Sequence, residues 1–217
     1  MSTLYWSPTS PYVKKVVLAL RETGLENTVT NKKTTANPTG PQNEQSQWNP
    51  SGKVPTLLVD GTRPIFGSQT IVQYIDSIAP SDKKILPPTE DTTRYDELVL
   101  ESMADSVLDA ALLTRYETAV RPEQYQWKDW IEGQTRKMKR AVELLQARTD
   151  SSSDLYQLPD PTDTSKALSL GGIAVASALW YLDFRYPEID WRSGEGAKLA
   201  AWYEAIQKRD SWRGGEH

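Results

Sequence analysis

The hydrophobic pattern of this chain changes once, and that change restricts the fold more than any other feature. As far as Ile78, strand-like runs alternate with helix-like ones; from Arg94 onward the apolar residues recur with a helical period. This order predicts a small mixed sheet with helices packed on it, followed by an all-helical unit. Residues 3–6 read as a buried strand, broken by Ser7-Pro8-Thr9-Ser10-Pro11. Val13, Val16, Val17 and Leu20 then fall at i, i+3, i+4 and i+7, the apolar face of a helix. Ser10 is a natural N-cap for that helix, Pro11 suits its first position and Gly24 its end.

A second strand is expected over residues 28–31 and a polar loop over 37–50. Residues 54–59 read as a strand entered through Pro55. Asp60-Gly61 is a turn signal, and Pro64, Ile65 and Phe66 form the returning strand. Ser68 can cap a helix carrying Ile71, Val72, Tyr74, Ile75 and Ile78 on one side. The expected division is residues 1–79, a linker over 80–92 rich in proline and charge, and a helical unit over 93–217. Within the helical unit, a long helix runs from Arg94 to about Val120, and Pro122 opens another with Trp127, Trp130, Ile131, Met138, Val142 and Leu145 on one period. Residues 150–166 form a polar loop, 168–184 a buried helix weakened at its start by Gly171-Gly172, and 196–209 a last helix.

What is missing narrows the chemistry. There is no cysteine, which excludes disulfides, zinc–thiolate sites, a catalytic thiol and a CxxC redox pair. The single histidine is the last residue, His217, so a Ser-His-Asp triad or histidine metal site is not expected, and no metal is. The net charge of −4 argues against nucleic-acid binding. No apolar run approaches the length of a membrane span, and no signal peptide is visible, so a soluble cytoplasmic protein is expected. Hydroxyls, carboxylates, amines, backbone dipoles or a borrowed cofactor must carry any reaction.

Three segments in order carry a family likeness. They are Ser7-Pro8-Thr9-Ser10-Pro11-Tyr12-Val13, Asn49-Pro50-Ser51-Gly52-Lys53-Val54-Pro55, and Gly67-Ser68-Gln69-Thr70-Ile71-Val72-Gln73-Tyr74-Ile75. With them the chain resembles the cytosolic glutathione transferases over nearly its whole length. Arg121-Pro122-Glu123, Trp130-Ile131-Glu132 and residues 181–187 are similar to a serine-type branch found in bacteria and fungi. The resemblance implies a thioredoxin-like α/β first domain, an all-α second domain, glutathione as co-substrate, a small apolar electrophile, a homodimer and a role in detoxification. There are two departures from the family pattern. Gly67 stands where an acidic residue or glutamine usually precedes the serine, and Ser169 is followed three residues later by Gly172 instead of the aspartate of a capping box.

The resemblance assigns roles, each beside a plainer account. Ser10 would hold the glutathione thiolate by donating a hydrogen bond at a helix start, or it is only an N-cap; Ser7 and Thr9 are rival hydroxyls. Val54, before a proline that is cis in the family, would pair its backbone with the cysteinyl part like an added strand; otherwise Pro55 merely opens a strand. Ser68, with the amides of the helix start, would take the γ-glutamyl carboxylate, or serve as a cap. Gly67 cannot supply the carboxylate for the γ-glutamyl ammonium. Glu101, Asp105 or Asp109 could, within the chain or across a dimer, although a charged stripe is more often a solvated face. Lys53 would attract the glycine carboxylate, ahead of Lys14, Lys15, Lys32 and Lys33. Tyr12, Tyr116 and Trp180 would line the electrophile pocket, or belong to the core. Two other functions stay open: an isomerase or dehydratase on this fold that does not consume glutathione, and a non-catalytic binding module.

Overall fold

The computed structural model describes residues 1–149 and 156–213. His217 and the first residues of the expected loop over 150–166 lie outside them. The first domain contains β1 (Ser2–Trp6), α1 (Pro11–Glu22), β2 (Val29–Lys33), β3 (Thr56–Val59), β4 (Arg63–Phe66) and α2 (Ser68–Ile78). The sheet order is β2-β1-β3-β4. β1 and β2 are parallel and joined through α1, as a parallel pair requires; β3 is antiparallel to β1, and β4 to β3. Asp60 and Gly61 have φ of 48° and 70°, the left-handed pair that a tight hairpin needs. β3 is buried along its whole length, which explains its unbroken apolar run after Thr56. This is the thioredoxin-like arrangement.

Among the described residues the chain then crosses to five helices: α3 (Thr93–Ala119), α4 (Lys128–Ala147), α5 (Leu170–Arg185), α6 (Ala197–Ile206) and α7 (Asp210–Arg213). The crossing segment is docked along some of its length. The Asp76 carboxylate accepts from the amides of Ile85 (2.9 Å) and Leu86 (3.1 Å), and both residues are buried. α5 is the hub, packed against α3 and α1. Gly171 permits the approach to α3, and Gly172 the approach of the chain at Pro159 and Leu168. A Cβ on Gly171 would lie 2.7 Å from Leu100 Cβ, and one on Gly172 2.7 Å from Pro159 Cγ. The absent capping-box acid is replaced from another helix: the Gly171 amide donates to Glu97 Oε2 of α3 at 2.7 Å, while Gly172 donates to Ser169 Oγ at 3.4 Å.

One helix start differs from expectation. Pro122 precedes only a short 3-10 turn over Glu123–Tyr125, and α4 begins at Lys128. The reason is Glu117, whose Oε1 takes the Trp127 amide at 2.8 Å and holds the chain outside the helix until there. Trp127 and Trp130 are exposed instead of core, and stack on each other at 6.1 Å. Among the described residues no helix is long and apolar enough to cross a membrane.

Candidate active site

The site is built on loops held by buried polar side chains. Ser10 is the N-cap of α1, with φ −89° and ψ 120°, and its Oγ accepts from the Val13 amide at 3.3 Å. The rival hydroxyls Ser7 and Thr9 face each other at 3.4 Å. Tyr12 follows, and its hydroxyl donates to the Asp109 carboxylate of α3. Burial, and then that carboxylate, push the Tyr12 hydroxyl well above its ordinary range, so it stays protonated.

The loop that enters β3 is fixed from inside. Buried Gln45 donates to the Thr35 and Gly52 carbonyls at 3.3 and 3.2 Å. Buried Asn49 donates to the Lys53 carbonyl at 3.1 Å and to Thr56 Oγ1 at 3.0 Å, and its Oδ1 accepts from the Ser51 amide at 3.0 Å. The chain then passes Lys53, which is exposed, into a cis Val54–Pro55 bond.

The start of α2 corrects one expectation. Gly67, not Ser68, is the N-cap, because Gly67 has φ 82°, a conformation that favours glycine and lies outside the helix. Ser68 is the first helical residue. Its hydroxyl is free of capping duty, and the first-turn amides have no acceptor within the helix. Gly67 is thus suited to its backbone angle.

Glu101, Asp105 and Asp109 recur every fourth residue of α3; Asp109 is exposed, but the other two do not belong to a solvated stripe. Glu101 and Asp105 are buried and both hold Lys15 Nζ, each at 2.8 Å; Lys15 is fully buried. Burial raises the Glu101 carboxyl despite the opposing pull of Lys15. Asp105 Oδ2 also accepts from Gln69 Nε2 of α2 at 2.9 Å. Lys15 therefore belongs to the domain junction and is closed to any ligand. All of these contacts lie within a single chain.

Two cavities meet here. One, of about 340 Å³, is lined by Asn49, Gly67, Ser68, Gln69 and Asp105. The other, of about 500 Å³, is lined by Ser10, Leu113, Arg115, Tyr116, Tyr181 and Arg185. Tyr12, Lys53, Val54 and Asp109 border both. A ligand in the first can therefore extend one arm past Val54 toward Ser10. The first is polar and presents a helix start; the second is walled largely by apolar and aromatic groups.

The N-terminal domain model of glutathione S-transferases matches residues 9–78, and the C-terminal domain model matches residues 128–205. The chain belongs to the glutathione S-transferase family. Among curated relatives, the uncharacterized GST-like protein YibF of Escherichia coli (strain K12) is 30% identical over 190 residues, covering 87% of this chain and 85% of YibF. Among solved structures, a glutathione transferase family member from Pseudomonas fluorescens Pf-5 with bound glutathione is 34% identical, covers 98% of this chain and 97% of its own, and superposes with a TM-score of 0.85. A second structure from that organism, with bound S-(propanoic acid)-glutathione, is 33% identical, covers 100% and 99% of the two chains, and has a TM-score of 0.83.

Within this member of the family, Ser10, Tyr12, Lys53, Val54, Pro55, Gly67, Ser68 and Tyr116 all border one or both cavities. Trp180 borders neither. It stacks on Phe184 at 5.5 Å, and Tyr181, one residue on and about 100° round the helix, lines the cavity in its place. The side chains of Asn49, Gln69 and Arg185 had no role assigned to them, although all three lie in segments that carry the family likeness; Arg115 lies in none of those segments, and nothing in its local pattern sets it apart from a surface polar residue.

Proposed function

We propose that this chain is a serine-type glutathione transferase that conjugates glutathione to a small electrophile. The observation that carries the reading is the shared border at Val54 between a polar cavity at a helix start and an apolar cavity containing Ser10. Ser68 and the first amides of α2 take the γ-glutamyl carboxylate, helped by the positive end of the helix dipole. Asp105 and Asp109 of the same chain face the γ-glutamyl ammonium, which removes the need for an acid at position 67. The Val54 backbone pairs with the cysteinyl part, Pro55 shapes that edge, and Lys53 meets the glycine carboxylate. The thiol then lies toward Ser10.

Ser10 can cap and activate at once. A hydroxyl has two acceptor lone pairs and one donor, so Oγ keeps the Val13 amide while its hydrogen points to sulfur. Each unit by which the thiol pKa falls corresponds to about 1.36 kcal/mol of preference for the thiolate. The thiolate attacks an electrophile lying against Tyr12 and Tyr116, and most of the gain is thiolate stabilisation and positioning. Relatives with bound glutathione and a glutathione thioether support this reading. The proposal extends to cytoplasmic detoxification by a homodimer, with exposed Phe66 on edge strand β4 and Ile78 on α2 as contact residues.

Calorimetric titration with reduced glutathione tests the reading. Saturable binding that weakens when Asp105 is changed to Asn is the expected result. No binding to the wild-type chain overturns it.

A further inference from the structure

If the second cavity receives the electrophile, as proposed above, its wall selects among electrophiles. Arg115 on α3 and Arg185 in the last turn of α5 both line it. Among the described residues neither pairs with a carboxylate. Arg185 is the more constrained: its guanidinium lies 3.9 Å from the centre of the Phe184 ring, and its Nε is buried without a hydrogen-bond partner. Both arginines line the same cavity as Tyr181, Arg115 from α3 and Arg185 from α5.

The charge count of the cavity is one-sided. Its charged lining residues are Lys53, Asp109, Arg115 and Arg185. Asp109 is already engaged by Tyr12, and Lys53 sits on the glutathione side. Two permanently charged guanidinium groups therefore stand unneutralised beside Leu113, Val120 and the tyrosines. An exposed arginine alone would be unremarkable in water. A second one in the same wall adds to the positive field, and a guanidinium offers a planar oxyanion two parallel hydrogen bonds.

We propose that the preferred electrophiles carry a carboxylate: aromatic acids whose ring lies among Tyr12, Tyr116 and Tyr181 and whose acid group is held by Arg115 and Arg185. The reaction with 4-(chloromethyl)benzoate shows the balance. The thiolate forms a C–S bond to the benzylic carbon, the C–Cl bond breaks, chloride leaves with the bonding pair, and the carboxylate is unchanged.

Binding of the two product thioethers separates this idea from the one beneath it. S-Benzylglutathione and S-(4-carboxybenzyl)glutathione are titrated by calorimetry into the wild-type chain, Arg115→Gln and Arg185→Gln. The carboxylated thioether is expected to bind at least about tenfold more tightly than the neutral one to wild type, with the advantage reduced in each variant and by added salt. Arg115 is exposed, so its variant is expected to keep its helical circular dichroism if Arg185→Gln loses it. Equal affinity of the two thioethers for wild type, or an advantage that survives both substitutions, overturns the carboxylate preference and leaves the glutathione reading intact. Failure of both thioethers to bind overturns both proposals.

Discussion

Lys15 Nζ lies 2.8 Å from Asp105 Oδ1 and 2.9 Å from Oδ2, sealed from solvent between the first domain and the helical one. The same carboxylate accepts from the side-chain amide, Nε2, of Gln69 at the start of α2. The group proposed to meet the γ-glutamyl ammonium is therefore held in place by the domain junction itself. Lys15→Met would leave Glu101 and Asp105 buried with no cation. Breaking a buried pair this way costs about 3–5 kcal/mol. Urea unfolding should show a loss of that order, and the KM for glutathione should rise more than kcat falls. A stability loss with KM unmoved would confine Lys15 to a packing role.

Ser10→Ala should lower the thiolate fraction of bound glutathione while leaving its affinity nearly unchanged. Ultraviolet absorbance of the bound thiolate, titrated against pH, measures this directly. The same change removes an N-cap worth about 1 kcal/mol, so Ser10→Gly, which costs only a few tenths, is the better thermal control. A thiol pKa that stays put in both variants would exclude Ser10 from activation.

Lys14 gives the protein a pH dependence on the alkaline side. Burial, assisted by the charge of Arg21, lowers its amine from 10.5 to about 8, and its Nζ lies 4.2 Å from the centre of the Trp212 ring. Between those two values the unfolded chain holds a proton that the native chain has released. Stability therefore rises with pH through that window. The Tm should climb between about pH 8 and about pH 10.5, and Lys14→Met should flatten the climb. A variant with the wild-type slope would show that another group titrates there.

Two glycines should respond to alanine with opposite signs. Gly171→Ala drives a methyl into Leu100 and Glu97, and overpacking of this kind costs about 1–3 kcal/mol. Gly133 in α4 meets only the tip of Arg136 at 3.9 Å, so Gly133→Ala should stabilise by up to about 1 kcal/mol through helix propensity. Thermal melts of the two variants check the pair; destabilisation by both would mean that α4 is packed more tightly than its surroundings show.

The elements set by local rules were legible in the sequence. Val13, Val16, Val17 and Leu20 announce α1 because a helix repeats its face within the window that periodicity samples, and Asp60-Gly61 announces the hairpin because few residues tolerate those angles. What escaped is tertiary. Asp105 looked like a member of a solvated stripe because its partner Lys15 is 90 residues away in sequence. Trp180 and Tyr181 are indistinguishable as pocket candidates until the rotation of α5 is known. Ser68 looked like a cap because serine favours that position, and only the angle at Gly67 shows that the cap lies one residue earlier.

The carboxylate that completes the start of α5 comes from Glu97, 74 residues before the amide it accepts. A ribosome therefore delivers the acceptor well before the donor, and the most apolar helix of the chain emerges to find its receiving surface already made. Circular permutation that moved residues 93–119 behind α5 would reverse that order. The helix would have to wait, greasy and with only Ser169 at its start, for the segment of chain that now precedes it.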